Sequence, residues 1–420
     1  MNIPFSKVSI TGNESKYIEE VLKSGWLTTA SKALKFEQLF AQYVGVKYAC
    51  AVNSCTAALH LAVEAIGVGP GDKVLVPTLT FTASAEVVRY MGADPIFIDV
   101  EYGTGLVSPT ILKKALLEHP DVKAIILVHY AGQAAEMKVA GGEGILDICR
   151  KHNVKIIEDA AHAFPTKFGN QFIGSFGDIT CFSFYANKTI TTGEGGMLVT
   201  NDESIYRRAK TMRLHGINRD IWDRFTSVKS SWEYDVVEPG FKYNMPDLNA
   251  AIGLAQLEKA EFLRAGRQRC AEYYYRELAD LISIDLPVCY GPMENHSWHI
   301  FPIIIRPEAS ISRNEFIEEM SNEGVGVSVH YKPIHRMTYY KETYNLDPIN
   351  YPNAEKIWKG TVSLPIYSDL NEEGLEYVCQ TIKSLLDNRL NYFFFPEETS
   401  NAHLYRNNVL NNTIKQLNNH

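Results

Sequence analysis

Short runs of Val, Ile and Leu alternate along the first half of the chain with stretches whose apolar residues recur every three to four positions. VKYACAV (46–52), DKVLVP (72–77), DPIFIDV (94–100), VKAIILVHY (122–130) and VKIIEDA (154–160) read as strands, and the apolar run 179–184 as another buried one. Between them, NSCTAALHLAVEAIG, TASAEVVRYMG and ILDICRKHN carry the helical period. Near the N-terminus, NESKYIEEVLKSG sets Tyr17, Ile18, Val21 and Leu22 on one face, with Asn13 as N-cap and Gly25 as stop. Continuous apolar strands spaced by helices predict an α/β domain with a parallel sheet covered on both faces. Such sheets bind ligands beyond the carboxyl ends of their strands. The polar groups of this chain gather there, at 54–56, 80–82, 129–132, 159–162 and 185–188.

From about Leu248 the pattern predicts one long amphipathic helix that leads into a second, smaller α/β domain. HSWHIFPIIIR, SRNEFIEEMSNEG, VGVSVHYKP and LEYVCQTIKSLLDN read there as strand, helix, strand and helix. The expected division is a large domain at 1–255, a small domain at 256–390 and an Asn-rich extension at 391–420. Leu404, Leu410, Ile414 and Leu417 fall on one helical face of that extension. This pattern admits either docking on the dimer or a partner, or an unstructured tail.

Composition narrows the class. The chain has 420 residues, 45% hydrophobic and 21% charged, with a formal net charge of -8 and scattered Lys and Arg, so nucleic acid is not an expected partner. The sequence has no apolar run long enough for a bilayer, and MNIPFSKVSITGNESKY lacks the basic and apolar regions of an export signal. Seven cysteines without a C-x-x-C pair speak against a disulfide framework or a zinc site and for a reducing compartment. The expectation is a cytoplasmic globular protein with no membrane association and no metal.

SFYANKTITTGEGG (183–196) then poses a chemical question, because Lys188 sits among small and hydroxylated residues directly after a buried strand. Lysine is rarely buried, but a Schiff-base lysine must be neutral to attack a carbonyl, and burial lowers its pKa. The usual carbonyl is that of pyridoxal 5′-phosphate (PLP), which asks three further things of a protein. Asp159, at the carboxyl end of a strand, offers an acid for the pyridine nitrogen. Ser54, Cys55 and Thr56 open a helix whose amides and hydroxyls suit a phosphate, with Ser183 as a further hydroxyl. Phe81 and His162 offer plates for the two faces of the ring. Each residue alone also has a structural reading: Ser54 and Asp159 as N-caps, Phe81 as core. Their order and spacing together single out the cofactor.

EDAAHA, FSFYANKTITTGEGGM, RLHGINRD, GFKYNMPDLNAAIGLAQL, VSVHYKPIH and SLPIY resemble the sugar aminotransferases of the DegT/DnrJ/EryC1/StrS family, from about Ile10 to Asn388. The resemblance implies the fold of aspartate aminotransferase (fold type I) and a homodimer with shared active sites. It implies PLP, with pyridoxamine 5′-phosphate as its intermediate form, and amino transfer from L-glutamate to a nucleotide-linked keto sugar. By the same resemblance Lys188 is the lysine that binds the cofactor, Asp159 the partner of the pyridine nitrogen and Ser183 a phosphate ligand. Cys55 and Thr56 give backbone amides, and Phe81 and His162 flank the ring. Lys242 or Asn244 reaches the phosphate of the partner subunit; many members carry asparagine at the position of Lys242.

The sugar side is sought in GWLTTASK, RLHGINRDIWDRF and HYKPIHR, with Trp26, Thr29, Tyr185, His215, Arg219, His330 and His335 as candidate contacts. HGINRD followed by WDRF resembles members that aminate C4 of a 4-keto-6-deoxy sugar, with amination at C3 as the alternative. A C3-dehydratase of the same fold carries histidine where this chain has Lys188, and a non-catalytic relative would have lost Asp159, Ser183 or Lys188.

Overall fold

The computed structural model describes residues 1–218 and 234–387. Arg219, the WDRF segment and the extension with Leu404, Leu410, Ile414 and Leu417 lie outside the described residues. The expected strands form one sheet: β1 (Tyr48–Val52), β2 (Lys73–Pro77), β3 (Asp94–Ile98), β4 (Ala124–Val128) and β5 (Lys155–Asp159). A short hairpin, β6 (Lys167–Phe168) and β7 (Gln171–Phe172), precedes β8 (Ile179–Ser183) and β9 (Gly196–Thr200). The seven-stranded order is β1-β9-β8-β5-β4-β2-β3. Neighbours from β8 to β3 pair in parallel, while β9 pairs antiparallel with both β8 and β1.

That one reversal has a local cause. Parallel neighbours need a crossover, usually a helix, whereas an antiparallel neighbour needs only a turn or loop. The chain joins β8 to β9 by loop 184–195, and Lys188 stands in it, just past the carboxyl end of β8. All five residues of β4 and of β8 are buried, as a sheet covered on both faces requires. The register pairs Asp159 with Val128 on one side and Cys181 on the other, which sets Asp159 at the carboxyl edge near the middle of the sheet.

Helices α1 (Glu14–Ser24), α2 (Ser31–Val44), α3 (Cys55–Ala65), α4 (Ala83–Tyr90), α5 (Pro109–Glu118), α6 (Ile145–Lys151) and α7 (Glu203–Met212) accompany this sheet. Gly25 ends α1 with φ 69°, as expected of a helix stop. Asn13 departs from expectation. It stands at the N-terminus of α1 without capping it, and its Nδ2 donates to Glu258 at 2.8 Å instead.

The long helix expected from Leu248 is two helices, α8 (Asp247–Glu258) and α9 (Ala260–Leu278). The break falls at Lys259, whose Nζ reaches Glu14 at 2.6 Å and the Ser9 carbonyl at 3.0 Å. The two halves serve different cores: α8 packs on α1 and α2, and α9 on the last described helix. The expected strand VGVSVHYKP is not a strand either. In the second sheet β11 (Phe301–Ile305) is flanked by β10 (Ile284–Asp285) and β12 (Thr361–Leu364), all antiparallel. Segment 325–333 meets the outer edge of β12 only at the Ser328–Ser363 bridge, makes a further isolated bridge from Val325 to Ile3, and then runs on toward the large sheet, where Ile334 donates its amide to the Thr78 carbonyl.

Helices α10 (Arg313–Asn322), α11 (Thr338–Tyr344), α12 (Pro352–Gly360) and α13 (Glu372–Asp387) complete the described chain. Ser312 and Glu315 form a capping box that starts α10. One apolar core surrounds the large sheet, and Ile334, Tyr340 and Ile357 join it. The second gathers Tyr274, Trp298, Phe301, Phe316 and Ile382, with Ile3 from the N-terminus. Among the described residues no helix is long and apolar enough to cross a membrane.

Candidate active site

The carboxyl ends of β4, β5 and β8 meet the N-terminus of α3 where the sequence placed its polar groups. Asp159 is buried and accepts two hydrogen bonds, from Ser84 Oγ to Oδ2 (2.8 Å) and from the Ala161 amide to Oδ1 (3.1 Å). The Ser84 hydroxyl hydrogen is therefore committed, and Thr80 Oγ1, 2.8 Å away, donates to Ser84 in turn. Glu158 points to the opposite face, as strand alternation predicts. There it takes hydrogen bonds from His129 Nε2 (2.8 Å), the Gly177 amide (2.8 Å) and Thr180 Oγ1 (2.7 Å).

Ser54 caps α3, its Oγ accepting from the Ala57 amide at 3.1 Å. The Ala58 amide goes to the Ser54 carbonyl, which leaves the amides of Cys55 and Thr56 as open donors of the first turn. Gly196 makes room at that point. A Cβ there would lie 2.4 Å from the Ser54 carbonyl oxygen and 2.7 Å from the Cys55 nitrogen. Ser183 Oγ accepts from the Tyr185 amide at 3.3 Å.

His162 is buried, with Nδ1 accepting from the Ala131 amide at 3.3 Å. Its Nε2–H is thereby free to donate to the Tyr331 hydroxyl, 2.8 Å away, and the two rings stack at 5.8 Å. Phe81 lies 6.0 Å from the same Tyr331 ring and is 57% exposed; Tyr185 is 48% exposed. His330 is buried, with Nδ1 2.9 Å from Ser363 Oγ and its carbonyl accepting from the Tyr130 hydroxyl. Lys188 Nζ lies 3.3 Å from His299 Nε2, whose ring centroid is 4.4 Å from that of His162.

Burial shapes the charges. Desolvation pulls the Lys188 ammonium down to about 8, against the raising influence of Cys55 and Asp159. Desolvation also pushes the Asp159 carboxyl above the usual range, more than the hydrogen bonds of Ser84 and Ala161 and the charge of Lys188 lower it. His162 and His299 are held far below the usual imidazole range by burial, and His330 is lowered to about 4. The outcome is an amine that gives up its proton far more readily than an ordinary lysine and a buried carboxylate suited to a cation, beside open helix amides suited to an anion. PLP presents that set of groups: a carbonyl, a ring nitrogen that takes a proton, and a phosphate. The residues fit it.

Other expected residues hydrogen-bond elsewhere, though the Lys242–Asn244 segment runs beside Val52 and Asn53, just before Ser54. Lys242 Nζ donates to Asn244 Oδ1, and Asn244 Nδ2 donates to Thr29 Oγ1 at 2.7 Å. With Thr29 and Asn218, Asn244 borders a cavity of about 460 Å³ beside α7. Trp26 Nε1 turns back to the Thr29 carbonyl (3.4 Å), and His215 is exposed with φ 58°. His335 is not placed to meet a sugar. It is fully buried between Thr78 Oγ1 (2.7 Å) and Glu355 Oε1 (2.7 Å) and stacked on Tyr351, so its polar atoms are used within the core.

Ser84, Tyr331, His299 and Arg267 belong to the site and were not singled out from the sequence. Ser84 is the second residue of α4, in an unremarkable helical run. His299 and Arg267 lie more than a hundred and nearly eighty residues from the motif they serve. Tyr331 lay within the aromatic HYKPIHR stretch, the only signal available for it.

The sequence profile of the DegT/DnrJ/EryC1/StrS aminotransferase family matches residues 8–383. The spore coat polysaccharide biosynthesis protein SpsC of Bacillus subtilis is 37% identical over 386 residues, 91% of this chain and 97% of its own. Helicobacter pylori PseC, an aminotransferase involved in pseudoaminic acid biosynthesis, superposes with a TM-score of 0.84 at 28% identity, covering 92% of this chain and all (100%) of its own. Spr1654 from Streptococcus pneumoniae, described as a sugar aminotransferase, superposes with a TM-score of 0.83 at 30% identity over 92% of this chain and 100% of its own. It has been solved in PLP and pyridoxamine-phosphate forms.

Proposed function

Since this chain belongs to the DegT/DnrJ/EryC1/StrS aminotransferase family, whose fold, PLP cofactor and sugar aminotransferase activity it shares, we propose that it moves an amino group from L-glutamate to a keto group, at C4, of a nucleotide-linked keto-deoxy sugar. The observation that carries this reading is the meeting of three groups at the carboxyl edge of the sheet. They are the Lys188 amine with its lowered pKa, the buried Asp159 carboxylate and the open amides of Cys55 and Thr56.

Bound PLP supplies a carbonyl that carries the amino group and a ring that accepts electrons. The chain's residues do the rest. Lys188 Nζ would hold the cofactor by its carbonyl and, as a free amine, would take a proton from the α-carbon of the amino donor. In the return half it delivers a proton to the carbon that was the sugar's carbonyl. Asp159, oriented by Ser84 and Ala161, holds the proton on the ring nitrogen. The amides of Cys55 and Thr56, with Ser54 and Ser183, bind the phosphate, and His162, oriented by Tyr331, backs the ring.

Phe81 and Tyr185 stand exposed beside these groups, which suits a site completed by a second copy of the chain. In that reading Lys242 or Asn244 faces the partner's phosphate, and Trp26, Thr29, Tyr185, His215, Arg219 and His330 serve the sugar and its diphosphate. The assignment to C4 rests on the HGINRD–WDRF resemblance. A division near residue 255 and a cytoplasmic site of action complete the proposal.

The test is a pair of half-reactions. L-Glutamate should bleach the visible absorption of the lysine-bound cofactor and release 2-oxoglutarate. UDP-, dTDP- or GDP-linked 4-keto-6-deoxy sugars should restore it, with an amino group at C4 in the product by NMR. Bleaching restored only by 3-keto sugars would move the reaction to C3. No response to any amino donor would overturn the proposal.

A further inference from the structure

His299 is unusual in having one ring nitrogen used and the other orphaned. Nε2 lies 3.3 Å from Lys188 Nζ, whereas Nδ1 is buried with no hydrogen-bond partner among the described residues. Its position is fixed from several sides. Arg267 Nη1 donates to the His299 carbonyl (3.0 Å) and the Ile366 carbonyl (2.9 Å), and Nη2 to the Asn187 carbonyl (3.2 Å), one residue before Lys188. Gly132, at φ 104°, lets the β4 loop close on the same segment. A Cβ there would meet Ser297 Oγ at 2.1 Å and the His299 nitrogen at 3.2 Å. Ser297 Oγ in turn donates to the His162 carbonyl at 2.6 Å.

The two tautomers of this imidazole differ in what they ask of Lys188. If Lys188 is an ammonium, Nε2 must accept, and the ring proton moves to Nδ1, where a buried N–H has no acceptor. If Lys188 is a free amine, Nε2–H donates to its lone pair and Nδ1 keeps only an unused lone pair. A buried donor without a partner carries a desolvation penalty, and buried N–H groups are rarely left so. The imidazole therefore disfavours the ammonium beyond what burial alone does. The other groups that act on Lys188 are Asp159 and Cys55, which favour its charge, and Arg267, which opposes it. Lys188 in turn acts on His162 and His330.

We propose that His299, clamped by Arg267, is a positioning residue for Lys188 that donates through Nε2 and holds Nζ as an aimed free amine. The proposal rests on the reading of Lys188 as the cofactor lysine. Borohydride reduction of the PLP-loaded protein tests that reading separately, since the label should appear on the Lys188 peptide.

The experiment for His299 uses the full chain stripped of cofactor. Acetic anhydride labels lysines only as free amines, so labelling of the Lys188 peptide across pH, read by mass spectrometry against an exposed lysine, gives its titration midpoint. His299→Gln places an amide where Nε2 was, and this group can turn its oxygen to an ammonium without orphaning a donor. The midpoint should rise by about one pH unit in His299→Gln. An unchanged midpoint in a folded variant overturns the proposal. If the variant fails to fold, 15N-histidine NMR of the native chain decides: Nε2–H on His299 supports the proposal, and Nδ1–H overturns it. Neither readout depends on sugar turnover, so failure here and failure of the aminotransferase reading are distinguishable.

Discussion

Ser84→Ala removes one of the two hydrogen bonds that Asp159 accepts, the 2.8 Å bond to Oδ2, and leaves the 3.1 Å bond from Ala161. Hydrogen bonds to charged groups contribute about 1.5–3 kcal/mol. Ser84 and Asp159 are both buried, and the space left by one hydroxyl is too small for a water to replace it. Every 1.4 kcal/mol is tenfold in an equilibrium constant. The same bond is present before the cofactor binds, so its loss acts through the Asp159 pKa: the dissociation constant for PLP should rise roughly ten- to hundredfold at pH values below the acid limb and converge on the native value above it.

The pH dependence has a definite sign. Burial already holds the Asp159 carboxyl above the usual range, and loss of Ser84 pushes it higher. The carboxylate is needed to pair with the ring nitrogen, so binding is lost as pH falls through this pKa, and that acid limb should lie at higher pH in Ser84→Ala. The assay is a PLP titration of the stripped protein, followed by visible absorption at several pH values. Thr80→Val serves as a graded control, because Thr80 reaches Asp159 only through Ser84, and its loss should be smaller. Native affinity in Ser84→Ala with an unmoved acid limb would refute the reasoning and remove Asp159 from its assigned role.

Three further outcomes follow from the geometry. Lys188→Arg should fold and lose turnover, because arginine stays charged at any working pH. In the native protein, PLP capture should speed up as pH rises through about 8, where the free-amine fraction grows, and a midpoint near the ordinary 10.5 in stopped-flow absorbance would contradict the burial of Lys188. Glu355→Gln should destabilise the fold by about 2–3 kcal/mol at neutral pH in denaturant titrations, since Glu355 pairs with Arg336 and with buried His335. Arg336 above all holds the Glu355 carboxyl below its ordinary range. Its contribution is therefore present above the unfolded-state pKa and lost as pH falls through the lower folded one, so the difference between native and variant should vanish in acid.

Much of this was legible from periodicity. Six of the seven strands of the large sheet, all but β9, the placement of polar groups at their carboxyl ends, Lys188, Asp159 and the α3 N-terminus follow from local patterns of apolar and small residues. The break at Lys259 was not, because α8 and α9 each keep the helical period and the turn is set by which core each half must cover. The missing strand at 325–333 was hidden for a similar reason: its composition is β-like, but it touches β12 only at Ser328 before the chain leaves to join the large core at Ile334. His335 shows the limit on the polar side. A histidine in an aromatic, basic stretch looks the same whether it meets a ligand or is saturated inside the core by Thr78 and Glu355. Ser84, His299 and Arg267 act through partners 75 to 111 positions away, and no local spacing encodes such pairings.

Arg267 belongs to α9, a helix of the second core, yet its guanidinium binds the Asn187 carbonyl in the lysine loop as well as the His299 and Ile366 carbonyls. One buried cation thus ties the backbone beside the nucleophile to the framework of the smaller core. Substitutions that loosen that core, at Phe301 or Phe316 for example, will be transmitted along α9 to the lysine loop and register as altered reactivity. In this protein the rigidity of the second core is part of the catalytic apparatus, and a screen for stability there will also be a screen for rate.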